Sequence, residues 1–338
     1  MRIYKPEGTS GTKFTGFKYD TIENFMNNGT IVEAPVTKCD SSNLSLYFDL
    51  GNNIYGILPF SELEYNNFGK TKSVAAISRV AKYTCFKIKN MSTDEDGKVC
   101  VTLSRKDAQK ECYDNYIKNL QLGQVIEAKI THVEEYGAFC DIGCGIIALL
   151  PIEHFSVARI RDPKTALKPF KSLKVIVKSI DNYGRILLSQ KELLGTWEEE
   201  AAKFKTGEVV VGTVRIVEDY GVFVELTPNL SGLAEPVAGM EVGTVVSVYI
   251  KSIIPDKMKV KLLIVDSENI ERPFVKLDYR IPESGFVNHW VYSPAGSNRV
   301  IETIIGENSS VTKDADVSEQ SDKSEESDGA ESVNHEEK

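Results

Sequence analysis

No stretch of this 338-residue chain approaches the 18 consecutive apolar residues of a membrane-spanning helix, so no membrane span is expected. The polar first 18 residues contain no apolar h-region, so no secretory signal is expected either. No Cys-x-x-Cys pair occurs among the six cysteines (39, 85, 100, 112, 140 and 144), and their spacing forms no disulfide framework. That pattern fits free thiols in a reducing cytoplasm. Histidine is scarce: the four (132, 154, 289 and 335) make no His-Glu-x-x-His pair and supply no visible catalytic triad. Cys140 and Cys144, with His132 and His154 not far off, are the one place where a metal is conceivable. Zinc signatures have tighter spacing, so buried strand cysteines are the expectation there. Gly69-Lys70-Thr71 is like the end of a phosphate loop, but Glu64 stands where the first Gly of that loop belongs. No enzyme, cofactor or metal is expected.

What is present is a globular composition, 41% hydrophobic and 26% charged, and a length that suits two or three domains. The net charge of −9 is concentrated at one end. Residues 307–338 hold 11 acids and 3 lysines, which leaves the rest of the chain near −1. This tail is rich in Ser, Asp and Glu, has no aromatic residue, and is expected to be disordered. It fits either a solvating end or a self-competitor that mimics a polyanion and masks basic surface.

Two segments 84 residues apart nearly repeat each other. Gly123-Gln124-Val125 runs on to Glu134-Glu135-Tyr136-Gly137-Ala138-Phe139, and Gly207-Glu208-Val209 runs on to Glu218-Asp219-Tyr220-Gly221-Val222-Phe223. A duplication of that size means tandem domains of one fold. In the middle copy, strands are expected at 125–133, 138–142, 146–150, 173–180 and 185–189, with an irregular connection at 152–170. Five short strands with a long link between the third and fourth suit a small closed barrel of the oligonucleotide-binding kind. The third copy repeats the order at 209–217, 222–226, 230–234, 245–254 and 259–265. A weaker copy upstream has strands at 30–36, 45–50, 54–58, 83–91 and 98–104, with Tyr47 opposite Phe139. Residues 105–120 and 191–205 are charged and rich in helix formers, so they read as helical linkers.

Alternation along the second strand sends Ala138, Cys140 and Ile142 inward and Phe139 and Asp141 outward. The third copy sends Phe223 and Glu225 outward in the same way. An outward ring at the same spot in two copies, each with a Tyr three residues earlier, suits a stacking platform for nucleobases, worth about 1–3 kcal/mol per base. Seven basic residues lie between Arg159 and Lys178 (Arg159, Arg161, Lys164, Lys168, Lys171, Lys174 and Lys178) against one acid, Asp162. Such cations would hold phosphates while the rings take bases. Arg215, Lys251, Lys257, Lys259 and Lys261 are the candidates in the third copy.

The Gly-x-Val opening, Tyr-Gly-Ala-Phe, Leu149-Leu150, Ile180-Asp181 and the closing run from Arg185 to Lys191 together resemble the S1 RNA-binding domain family. The resemblance covers residues 28–266 and implies five-stranded barrels that bind single-stranded RNA. By resemblance, RNA contacts fall on Tyr136, Phe139, Asp181 and Arg185, and in the third copy on Tyr220, Phe223 and, with one residue inserted, Lys259. The family's usual His is replaced by Pro151 in the middle copy and by Glu235 in the third. The first copy keeps Tyr47 and, at most, Lys98, which makes it a candidate for protein docking.

The expected architecture is therefore mainly β: three tandem five-stranded OB-fold barrels joined by short helical linkers, with a disordered acidic C-terminal tail. The divisions are an extension at 1–27, a degenerate barrel at 28–106, a linker at 107–119, barrels at 120–191 and 205–266 around a linker at 192–204, an appendage at 267–306 packed on the last barrel, and the tail at 307–338. The expected role is non-catalytic binding of single-stranded RNA, as mRNA at the small (30S) ribosomal subunit, in the cytoplasm. Two rivals stand beside it: an RNA-binding subunit of an RNA degradation or processing complex, and a protein–protein adaptor.

Overall fold

The computed structural model describes residues 4–9, 14–65, 72–93, 97–167, 170–267, 270 and 277–306. Gly69-Lys70-Thr71, Lys168 and the acidic tail lie outside the described residues. After helix α1 (Tyr19–Asn27), the first unit contains β1 (Val32–Pro35), β2 (Lys38–Cys39), β3 (Leu46–Asp49), β4 (Ile54–Leu58), β5 (Tyr83–Thr93) and β6 (Val99–Ser104), with the short helix α2 (Ser73–Ile77) between β4 and β5. Its sheet order is β1-β5-β6-β4-β3-β2, so its two edge strands are neighbours in the chain. The expected first strand is broken in two. Val36 N–H donates to Lys82 O (3.0 Å) and Thr37 N–H to Tyr47 O (2.8 Å), so hydrogen bonding passes from β5 to β3 at this point. Pro35, which has no N–H to give, sits at the break. Covalent continuity rather than a ladder closes the ring around Leu46, Phe48, Leu58, Phe86 and Val101, all buried.

The other two units are closed barrels with the expected strand order. The linker helix α3 (Arg105–Asn115) is followed by β7 (Val125–Glu134), β8 (Gly137–Asp141) and β9 (Ile147–Pro151). The connection expected to be irregular contains two short helices, α4 (Ile152–Phe155) and α5 (Pro163–Leu167), before β10 (Ser172–Ile180) and β11 (Ile186–Ser189). The helix α6 (Trp197–Ala201) leads to β12 (Val209–Glu218), β13 (Gly221–Thr227), β14 (Leu230–Ala234), β15 (Val245–Ile254) and β16 (Lys259–Asp266). Each ring closes through one parallel pairing, Leu149 beside Leu187 and Leu233 beside Lys261. The linker helices are fixed at their starts. The Ser104 hydroxyl accepts the Asp107 N–H, and Thr196 with Glu199 forms a capping box. Trp197 is buried, as a packing anchor would be.

The appendage is a hairpin, β17 (His289–Val291) with β18 (Glu302–Ile304), and it packs more widely than on the last barrel. Trp290 and Tyr292 share a core cluster with Ile176 of the middle barrel, Leu193 and Trp197 of the linker, and Val248 of the last barrel. The Val125 N–H donates to Gly285 O, the Val287 N–H to Gly123 O, and Tyr292 Oη–H to Asn229 O at 2.6 Å. Among the described residues, no helix is long and apolar enough to cross a membrane, and no cluster of three His, Cys, Asp or Glu is placed to hold a metal.

The first and middle barrels meet on a buried ionic network that the sequence does not announce. Arg105, fully buried, donates from Nε to Glu7 at 2.7 Å, and Arg79 donates to the same carboxylate at 2.8 Å. Burial alone would raise the Glu7 pKa, but the two guanidiniums outweigh it and hold the carboxyl well below its ordinary range. Asp141 accepts the N–H groups of Glu7, Gly143 and Gly145. Burial, with the Glu7 charge beside it, still raises its pKa from 3.8 to about 7. A raised acid pKa stabilises the fold below the unfolded value and loses that effect as pH rises through the folded one. Stability from Asp141 therefore falls between about pH 4 and 7, while that from Glu7 falls below about 4.5. Urea unfolding from pH 4.5 to 7 is expected to show declining stability in the wild type and a flatter profile in Asp141→Asn; parallel profiles would contradict the assignment.

Candidate nucleic-acid interface

The Tyr-Gly-x-Phe turn has a steric cause. Gly137 lies so close to β9 that a Cβ would come within 2.3 Å of Leu150 O, and at Gly221 a Cβ would come within 2.5 Å of Ala234 O. Only glycine lets the turn fold back on the third strand, and that return presents the two rings together. Tyr136 and Phe139 stand edge to face with centroids 6.1 Å apart and planes at 88°. Tyr220 and Phe223 repeat this at 6.2 Å and 88°. Tyr136 is 56% exposed and Tyr220 66%, while Phe139 and Phe223 are half-buried on the outer wall.

Register extends each platform into a row across the barrel. Phe139 pairs with His132 on β7 and Leu149 on β9, and Leu149 neighbours Leu187 on β11. In the last barrel the corresponding row is Ile216, Phe223, Leu233 and Lys261. In the first unit it is Lys38, Tyr47, Ile57 and Thr102. There the Lys38 ammonium lies 4.7 Å from the Tyr47 ring centroid, and Leu44, in a left-handed conformation, stands at the place of Tyr136. The first unit thus has one ring, already partnered by a cation.

Asp181 and Arg185 close the β10–β11 turn. The carboxylate accepts the Arg185 and Tyr183 N–H groups and pairs with Arg185 Nε at 2.6 Å. The Arg185 N–H bond is the largest of the effects that lower the Asp181 pKa. The exposed guanidinium also lies 5.4 Å from the Tyr183 ring centroid. Counting back from the parallel pairs, Lys259 takes the position of Arg185, and it is exposed. In the first unit the register brings Cys100 there, with Lys98 two residues away.

Several expected cations stand elsewhere. Arg215 does not face solvent. It is buried, with Nε 2.8 Å and Nη2 2.7 Å from the Glu225 carboxylate. The bulge between Val214 and Ile216 resets the alternation at this residue. Arg161 is exposed but ion-paired with Glu218 of the last barrel, so it joins two barrels. Arg159 is exposed. Lys178 is half-buried on the β10 bulge near Glu192 and Lys191, and burial lowers its pKa. The same bulge carries Lys89 in the first unit and Lys251 in the last. Aligning the bulges rather than the motifs would have found that recurrence. Lys261, a candidate cation, stands on the ring row of the last barrel where the middle one has Leu187, and His132 stands beside Phe139 on the middle row with no motif to mark it.

The middle and last units are thus closed five-stranded barrels of one kind, each presenting a pair of rings at the same place on its outer wall. Residues 119–191 match the model of the S1 RNA binding domain, and the middle barrel belongs to that family. The chain as a whole is similar to the small ribosomal subunit protein bS1 of Staphylococcus aureus (strain COL), 28% identical over 277 residues, which cover 80% of this chain and 66% of that one. The bS1 homolog of Bacillus subtilis (strain 168) is 34% identical over 160 residues, 46% of this chain and 41% of its own. A solved multidomain protein with nucleic acid binding domains from Streptococcus pneumoniae covers 70% of this chain and 74% of its own at 15% identity, with a TM-score of 0.24, too low to bear on the fold.

Proposed function

We propose that this protein captures single-stranded RNA, in particular mRNA at the small ribosomal subunit, and makes or breaks no bond. The observation that carries this is the recurrence of one exposed edge-to-face Tyr–Phe pair at the same place in two barrels. Rings on an outer wall stack any base, since every base has a π face. Holding the open strand draws RNA hairpins toward it by mass action. Two linked barrels raise each other's effective concentration to roughly millimolar, so two weak sites give useful avidity. The first unit, with its single cation-covered ring, is the docking module in this scheme, and the cytoplasm is the site of action.

Crosslinking in cells, with sequencing of the bound RNA and fractionation of ribosomes, tests this. The expected result is mRNA crosslinks and co-sedimentation with the small subunit. Co-purification with a nuclease and absence from ribosomal fractions would move the protein to an RNA-degrading complex.

The acidic tail gives a separate expectation. If residues 307–338 compete with RNA for basic surface, deleting them tightens RNA binding at low salt and has little effect at high salt, where charges are screened. A titration at low salt that shows no change on deletion would remove self-competition.

A further inference from the structure

We infer that the cleft between the first and middle barrels is a subsite for the phosphodiester backbone of the RNA strand, next to the base stacked on Phe139. This rests on the function proposed above and adds to it a second anchoring point. The cleft has a volume of about 740 Å³ and is lined by Arg79 and Lys82 from the first unit and by Lys129 and His132 from the middle one. That volume falls in the ~300–1,000 Å³ range of small-ligand sites.

The cleft is continuous with the platform. His132 is the register partner of Phe139, and Lys129 is the partner of Asp141, which in turn pairs with Ile147 on the cleft wall. A strand leaving the face of Phe139 past His132 enters the cleft directly.

The charge balance in the cleft favours an anion. Its two acids are occupied. Glu7 is held by Arg105 and Arg79, and Asp141 accepts three backbone N–H groups. Lys129 gives one N–H to the Glu7 carbonyl, a neutral partner that leaves its charge intact. Lys82 is exposed and has no ion-pair partner among the described residues, and the Arg79 Nε has no acceptor among them. His132 bonds Glu134 at 2.7 Å and is 64% exposed. The last barrel carries Thr213 and Ile216 at the places of Lys129 and His132, so the subsite belongs to this junction and not to the repeat.

The test is a fluorescence-anisotropy titration of the full chain with a labelled oligouridine across a range of KCl. The proteins compared are the wild type, Lys82→Gln/His132→Gln and Phe139→Ala. Removing one cation that neutralises a phosphate lowers the slope of log K against log salt by about 0.7 for a single strand. The double variant is expected to bind about tenfold more weakly at low salt, with a shallower slope, and Lys82→Arg to bind like the wild type. An unchanged affinity and slope in the double variant, while Phe139→Ala still weakens binding, would overturn the subsite and leave the platform standing. Phe139→Ala without effect would remove the RNA-binding role and the subsite with it.

Discussion

Replacing Tyr136 and Phe139 together by alanine is expected to weaken single-stranded RNA binding to the middle barrel by about 2–5 kcal/mol, given about 1–3 kcal/mol per stacked base. That is a loss of roughly 30- to 4,000-fold in affinity. The fold is expected to survive. Tyr136 is more than half exposed, and Phe139 lies on the outer wall, away from the Ala138, Cys140 and Leu150 core. Isothermal titration with a short oligouridine, alongside the far-ultraviolet circular dichroism of the variant, measures both. The residual binding reports the Tyr220–Phe223 pair, whose geometry is the same. Equal affinity in wild type and variant would refute the platform.

Replacing Glu7 by alanine is expected to cost stability. Arg105 is fully buried, and without Glu7 its remaining acceptors are the carbonyls of Leu63 and Gly145, which carry no charge. Breaking a buried ion pair from one side costs about 3–5 kcal/mol, because it leaves an uncompensated charge out of water. Urea unfolding should show the loss in the transition that includes the first and middle barrels. The double change Glu7→Ala/Arg105→Met should recover part of it, since it removes the stranded charge as well. A loss below about 1 kcal/mol in the single variant would mean that water reaches Arg105.

The barrels were legible because their strands carry the period-two pattern and their turns carry glycine. The strands at 230–234 and 245–254 lie where alternation places them. The split of the first strand was not legible, because the change of partner at Val36 and Thr37 depends on where β3 and β5 lie in space. The paired rings were visible as an exposed motif occurring twice. Arg215 was counted among the surface cations by its charge alone, which does not show that Glu225 across the ladder buries it in an ion pair. The seven cations from Arg159 to Lys178 read as one patch, yet Arg161 reaches across to Glu218 and Lys178 stands near the linker. Glu7 and Arg105 are 98 residues apart, so no local pattern links them. The cleft between barrels has the same origin. Its cations come from two units, and neither unit alone shows a site.

The most direct measurement is photocrosslinking of the full-length protein to RNA containing 4-thiouridine, with the attached residues read by mass spectrometry. A uracil stacked on these rings is expected to attach to Tyr136 or Phe139 and, on the last barrel, to Tyr220 or Phe223. Crosslinks confined to other surfaces, with all four rings unmodified, would contradict base capture by the paired aromatics.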